Sequence, residues 1–156
     1  MLTDGQMQTL AAALRAETDQ TVVAALAVRN DVALTAWCNS ASTVDAWNEA
    51  MGARELFEAT DVTKFDGLTA GKRDAWRLLL EFAPIDFKRQ KMRKAVPDVW
   101  GTTDAVAVLQ ACTRKATRGE VCLGGSDATT NTVTAKKLNY SGSISLDDVS
   151  NALNRY

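Results

Sequence analysis

Three cysteines are the most obvious candidate nucleophiles in this chain. Cys38, Cys112 and Cys122 are odd in number and show no Cys-x-x-Cys spacing. The sequence contains no histidine, so a histidine-activated thiol and most kinds of zinc site are not expected. We therefore expect reduced thiols that pack as small hydrophobic side chains, with no metal and no cofactor. An enzyme that uses carboxylates or a thiol alone is the remaining catalytic alternative, and we predict that the protein is not an enzyme.

Two further patterns resemble ligand-binding sites but have simpler structural explanations. The run Thr69–Arg73 contains a Gly-Lys pair, but it lacks the earlier glycine and the preceding strand of a phosphate-binding loop. A helix cap at Thr69 explains it better, because a threonine hydroxyl can accept a bond from a first-turn N–H. Asp147 and Asp148 fall in the first turn of a predicted helix, where the helix dipole stabilises negative charge.

The densest positive charge lies in the run 88–94, Lys-Arg-Gln-Lys-Met-Arg-Lys. Three interpretations are open: a solvated helix face, a subunit interface with an acidic neighbour, or contact with DNA phosphates. The run has no interleaved aromatic residues and matches no DNA-binding motif. The candidate residues for contact with a subunit or partner are Lys88, Arg89, Lys91, Arg93, Lys94, Lys136, Lys137 and Tyr140.

Charge is unevenly distributed along the chain, although the net charge is only −1. Residues 1–66 carry a balance of −6, residues 67–94 carry +5, and residues 95–156 are balanced. A chain with an acidic part and a basic part is suited to complementary contacts between its own copies.

The elements that must position these residues are mostly helical by periodicity. Thr3 with Gln6 has capping-box spacing, and Ser145 with Asp148 marks a final helix in the same way. Trp76, with apolar residues at i+3, i+4 and i+7, marks the clearest helix face. The predicted helices start near residues 4, 19, 31, 43, 69, 86, 103 and 145, and the helix starting at 103 is expected to reach 123.

The C-terminal part of the chain has a different composition. Residues 129–144 are rich in threonine with loose alternation, which favours extended chain and a β-hairpin that protrudes. The predicted fold class is therefore mainly α: a bundle of about five to seven helices with an extended or β-hairpin C-terminal arm and a short terminal helix. We expect a helical body over 1–125 and the arm with its helix over 126–156, within one domain overall.

Composition is ordinary for a globular protein of 156 residues, with 46% hydrophobic and 24% charged residues. No apolar run approaches the roughly 18 residues of a membrane span, and the chain begins with polar residues rather than a signal sequence. Trp37, Trp47, Trp76 and Trp100 fall on apolar stripes and are predicted to be core. We expect a protein that is made in the cytosol and has no membrane partner.

The run Asp66–Trp76 resembles a pattern in a family of small tailed-bacteriophage virion proteins. Here it reads Asp-Gly-Leu-Thr-Ala-Gly-Lys-Arg-Asp-Ala-Trp, where the family reads roughly Asp-Asn-Leu-Thr-Val-Gly-Lys-Ala-Arg-Ile-Trp. The chain departs from the family at Pro97 and at Leu123-Gly124-Gly125, where Phe-Ala-Thr-Gly is more usual. Further matches are Ile85 with Asp86, Val99–Thr102, Cys112 with Arg114, Arg118 with Glu120, Gly142–Ser145, and Asp148 with Val149.

The resemblance implies a structural virion protein, the head–tail adaptor or connector that links the portal to the tail. It implies a homo-oligomeric ring, a dodecamer in the family, with the portal protein and a tail or nozzle protein as partners. Genomic DNA would pass through the ring transiently, and the protein would reside at the head–tail junction of the virion. The alternatives are a DNA-binding helical module that acts in packaging and another tail or head-completion protein.

Overall fold

The computed structural model describes all residues, Met1–Tyr156. Helices account for 58% of the chain and strands for 17%. The helices are α1 (Asp4–Ala16), α2 (Gln20–Ala27), α3 (Asp31–Asn39), α4 (Ala53–Glu58), α5 (Val62–Asp66), α6 (Ala70–Glu81), α7 (Gln90–Ala111), α8 (Arg118–Cys122) and α9 (Leu146–Arg155). The strands are β1 (Ala41–Trp47), β2 (Thr113–Thr117), β3 (Gly125–Thr130) and β4 (Val133–Leu138).

The fold is α/β, and the prediction of a mainly α bundle is wrong. The four strands form one mixed sheet in the order β2-β1-β4-β3. Strand β1 pairs in parallel with β4, with Ala46 opposite Lys136. Two of the four strands lie where the sequence predicted helix, which is why the sheet was missed.

Strand β1 occupies residues predicted as a loop and the start of a helix. The i, i+3 spacing of Val44 and Trp47 indicated a helix face, but the chain there is extended and alternates in exposure until Ala46 and Trp47 are both buried. Strand pairing with β4, about 90 residues away along the chain, outweighs the local pattern, as β-propensity commonly depends on context. The helix that was predicted at this point begins later, after Gly52.

The prediction of one long helix over 103–123 is also wrong. Helix α7 ends at Ala111, and after Cys112 the chain forms β2. Helix α8 then starts at a capping box in which the Thr117 hydroxyl accepts from Glu120 N–H and the Glu120 carboxylate accepts from Thr117 N–H. That Thr-x-x-Glu signal was present in the sequence and marks the helix start that the apolar spacing concealed.

The predicted β-hairpin is present, but it is not a protruding arm. Strands β3 and β4 are joined at Asn131, whose φ of 56° is the left-handed conformation that asparagine tolerates. Strand β4 is an internal strand of the sheet, and its Val133 and Ala135 are buried. The arm expectation fails because both edges of β4 are paired, with β1 and with β3, and one of its faces is buried.

Several local predictions are confirmed. Helix α1 has the predicted capping box at Thr3 and Gln6, and Asp19 caps α2. Thr69 caps α6, and Ser145 with Asp148 forms the box that starts α9. The helix break predicted after Trp100 is a kink in α7 at Gly101, whose φ of 76° favours glycine.

The chain divides into two compact units. The first comprises Met1–Val44, Lys115–Ser126 and Leu138–Tyr156, and the second comprises Asp45–Arg114 and Asp127–Lys137. The expected division at residue 125 stays a prediction. No helix is both long enough and apolar enough to cross a bilayer. Fully buried core side chains of the first unit include Leu10, Leu14, Leu34 and Ile144; those of the second include Trp47, Trp76, Phe87 and Leu109.

Candidate interaction surface

The basic run 88–94 does not form one continuous charged surface. Lys88 lies just before α7, and its ammonium is 2.6 Å from the Glu49 carboxylate. Arg89 is the N-cap of α7 and lies 3.3 Å from Asp86. These two cations are therefore partly neutralised within the second unit.

Arg93 lies in the interior, because only 4% of its surface is exposed. Its guanidinium donates to the carbonyls of Phe87 and Lys88 at 2.7 and 2.6 Å and to the Thr130 hydroxyl at 3.0 Å. It also stacks over the Trp47 ring, 5.1 Å from the centroid. Burial lowers the pKa of Arg93, while the Asp86 charge opposes that shift. The side chain holds the start of α7 to the β3–β4 hairpin and is not available to a partner.

Lys91 and Lys94 are exposed and, unlike the exposed Arg89, make no ion pair. They line a shallow depression of about 470 Å³ together with Gln90, Ala95 and Asp98. With three of the five cations engaged elsewhere, these two lysines carry the free positive charge of this surface. Helix geometry places them on the first turns of α7, one turn apart.

The remaining predicted residues fall in different units. Lys136 lies on β4 and pairs with Asp127 at 2.9 Å, and Lys137 beside it is exposed. Tyr140 belongs to the first unit, where its hydroxyl donates to the Ser143 carbonyl at 2.8 Å. Burial raises the pKa of Tyr140, and the charges of nearby carboxylates raise it further.

Sequence reasoning missed an apolar groove between α6 and α7. It has a volume of about 520 Å³. Leu78 and Phe82 border it and are 54% and 66% exposed, which is unusual for side chains of this size on one short stretch. The i, i+4 spacing of Leu78 and Phe82, opposite the buried Trp76 face, was the available signal. The groove is lined by Ala75, Leu78, Leu79, Phe82, Lys91, Met92, Ala95, Asp98 and Val99.

Charge and apolar surface thus meet at one place. Lys91 lines both the α6–α7 groove and the depression beside it. An exposed apolar patch with a charged rim is typical of a protein–protein contact, because the apolar part supplies affinity and the rim supplies specificity. The groove and its lysine rim are the candidate interaction surface of the second unit.

The first unit has a smaller pocket built around Asp19. Its carboxylate accepts from the Trp37 indole N–H at 3.1 Å, from Thr21 N–H at 2.9 Å and from the Arg118 guanidinium at 2.9 Å. The Trp37 bond, followed by the Thr21 bond and the Arg118 charge, lowers the pKa of Asp19. Arg118 also lies over the Trp37 ring at 5.2 Å. The pocket measures about 220 Å³, and its Asp19, Trp37 and Arg118 side chains are already paired with one another.

The thiols are not activated. Burial raises the pKa of Cys38 and of Cys112 to about 12, and burial also raises the pKa of Cys122 beside the Asp19 pocket. A thiol with a raised pKa is protonated at neutral pH and is a poor nucleophile. None of the three forms a disulfide, and no cluster of three or more metal-ligating side chains occurs.

Comparison of the chain with protein-family models, with curated proteins and with solved structures gave no match. The resemblance to the phage virion family therefore stays an expectation from the sequence. Its motif residues have structural roles here: Thr69 caps α6, Trp76 and Trp100 are core, and Gly101 forms the kink in α7.

Proposed function

We propose that this chain is a structural protein of a tailed-phage virion: a head–tail adaptor that assembles as a ring between the portal and the tail. The observation that carries the proposal is the α6–α7 groove with its lysine rim. A chain that leaves Leu78 and Phe82 exposed beside unpaired cations has a surface suited to binding another protein.

The motif resemblance supports the choice of assembly. Residues 66–76 of the family pattern run from the end of α5 into the first half of α6 and lead directly into the exposed stretch that borders the groove. The proposed partners are other copies of the chain in a ring, a dodecamer by the resemblance, together with the portal protein and a tail or nozzle protein. A ring at this junction would leave a central passage for genomic DNA.

The DNA-binding alternative has less support. Only Lys91 and Lys94 of the basic run are free of protein partners. Two cations release few counterions from DNA, so they would add little to the affinity for it. No DNA-binding motif or exposed aromatic stack accompanies them. A packaging module would be expected to present a longer basic stripe.

The proposal is tested by co-expressing the chain with the portal protein encoded near it. We expect the two proteins to co-purify and to form closed rings when viewed by electron microscopy. The DNA-binding alternative predicts instead salt-sensitive retention on duplex DNA and no complex with the portal. Failure to bind the portal, with retention on DNA, would reject the adaptor proposal.

A further inference from the structure

Helix α6 presents an exposed stripe that is both apolar and acidic. Leu78 and Phe82 lie one turn apart, and Ala75 lies beside them on the same side of the helix. Because each residue of a helix is rotated by about 100° from the one before, Asp74 and Glu81 lie along the edge of this stripe that is opposite Ala75. Glu81 makes no ion pair, and Asp74 has only a 3.7 Å contact with Arg77.

The neighbouring helix presents the complementary features. The α6–α7 groove supplies apolar surface from Met92, Ala95 and Val99, and Lys91 and Lys94 stand free beside it. One copy of the chain therefore carries an apolar stripe with the unpaired carboxylate of Glu81 and an apolar groove with free ammonium groups. Neither set finds its counterpart within the chain.

We infer that the α6–α7 groove is a docking site for α6 of a second copy of this chain, in a reciprocal two-fold contact. With the two-fold axis running along the helices, α6 of each copy lies over α7 of the other. Leu78 and Phe82 of one copy enter the groove of its partner, and the partner fills the first copy's groove in the same way. Each contact occurs twice, as in every isologous interface.

The charges fix the register of this contact. Glu81 and Lys91 both lie near the connection between α6 and α7, at the same end of the helix pair. A two-fold axis along the helices keeps that end aligned in both copies, so Glu81 of each copy faces Lys91 of the other. A solvent-exposed pair of this kind adds specificity more than affinity, while burial of Phe82 and Leu78 supplies the driving force.

The inference uses the same groove as the adaptor proposal but does not require that proposal to be correct. A ring with a single cyclic axis contains no in-plane two-fold, so this dimer is a state of the free protein that is separate from ring closure. A contact centred on one groove per copy is at the small end of specific interfaces, and we expect it to be concentration-dependent.

Sedimentation velocity on the full chain tests the contact over a range of concentrations. We expect the wild type to shift from monomer to dimer as concentration rises. Phe82→Asp should raise the dimer dissociation constant by roughly 30-fold or more, which is the scale for losing a buried aromatic anchor. Val62→Asp is the matched control, because Val62 is 56% exposed but lies outside the groove; it should leave the dissociation constant unchanged.

A charge exchange tests the register. Lys91→Glu and Glu81→Lys should each weaken the dimer, because each places like charges together at both copies of the contact. The double variant K91E/E81K should regain dimerisation, because the pair is restored with its signs reversed. All variants lie on exposed positions, and circular dichroism checks that each is folded.

Any one of three results would overturn the inference. The first is a wild type that stays monomeric at the highest concentration, and the second is a Phe82→Asp variant that dimerises like the wild type. The third is a K91E/E81K double variant whose dimer is no tighter than that of either single variant. Failure of the adaptor proposal gives a different pattern. In that case the dimer and its sensitivity to Phe82→Asp persist, but no complex with the portal protein forms.

Discussion

The Arg93 guanidinium packs over the indole of Trp47, with 5.1 Å between its central carbon and the ring centroid. The same guanidinium binds two carbonyls and the hydroxyl of Thr130. An arginine can satisfy several acceptors at once because its donors form a rigid planar fork, whereas a lysine offers a single ammonium. A side chain in the middle of a basic run thus serves as an internal link.

Replacement of Arg93 should destabilise the protein strongly. We expect Arg93→Ala to lower the free energy of unfolding by about 3 kcal/mol, because it leaves buried acceptors unpaired and removes the stacking on Trp47. Urea denaturation followed by circular dichroism measures this. Lys94→Ala, on the neighbouring exposed residue, should change stability by no more than about 0.5 kcal/mol; equal effects at the two positions would contradict the assignment of Arg93 to the interior.

The four tryptophans are not equivalent in their hydrogen bonding. The Trp47 indole N–H donates to the Ala128 carbonyl at 2.9 Å, whereas the buried Trp76 N–H has no partner. Trp76 instead packs edge to face on Trp100, with 5.3 Å between ring centroids.

We therefore predict that Trp47→Phe costs about 1 kcal/mol more than Trp76→Phe, because only the first leaves a carbonyl without its donor. Both substitutions remove similar apolar volume, so each serves as the other's control. Chemical denaturation of the two variants gives the difference directly. A larger cost at Trp76 would mean that its N–H has a partner in the folded protein.

Asp148 ties the N-terminus of the chain to α9. Its carboxylate accepts from Leu2 N–H at 2.7 Å and from the Ser145 hydroxyl and N–H at 2.7 and 3.1 Å. Burial alone would raise the pKa of Asp148, but these hydrogen bonds outweigh it and hold the pKa below its usual value. A carboxyl with a lowered pKa contributes stability above its unfolded pKa, and that contribution is lost as pH falls through its folded pKa.

Asp148→Asn should consequently destabilise the protein by about 2 kcal/mol at neutral pH, since hydrogen bonds to a charged acceptor are the stronger kind. The difference between variant and wild type should narrow as pH falls below about 4, the unfolded pKa of aspartate. Thermal unfolding measured from pH 7 to pH 3 checks both points. A gap that stays constant or widens in acid would show that the charge of Asp148 is not what matters.

The parts of the fold that the sequence predicted well are those set by local chemistry. The caps at Thr3, Thr69 and Ser145 act within one turn of chain, so a short window contains all the information. Strands β1 and β2 depend on partners far along the chain. Their residues satisfy helical spacing equally well, and only pairing decides between the two.

The candidate interaction surface also could be predicted only in part from the sequence. Lys91, Arg93 and Lys94 are alike by type, and the structure separates them because Arg93 shares a face with the buried Val96 and Trp100 while the lysines do not. The i, i+3, i+7 spacing of Arg93, Val96 and Trp100 was the signal available in the sequence. The groove itself could not be predicted, since it exists only where α6 and α7 meet.

The adaptor proposal is tested most directly by electron microscopy of the head–tail junction in intact virions. The account predicts a ring of copies of this chain between portal and tail, a dodecamer by the family resemblance, with a central passage for DNA. Virions that lack this chain at the junction, or that carry it elsewhere, would contradict the account.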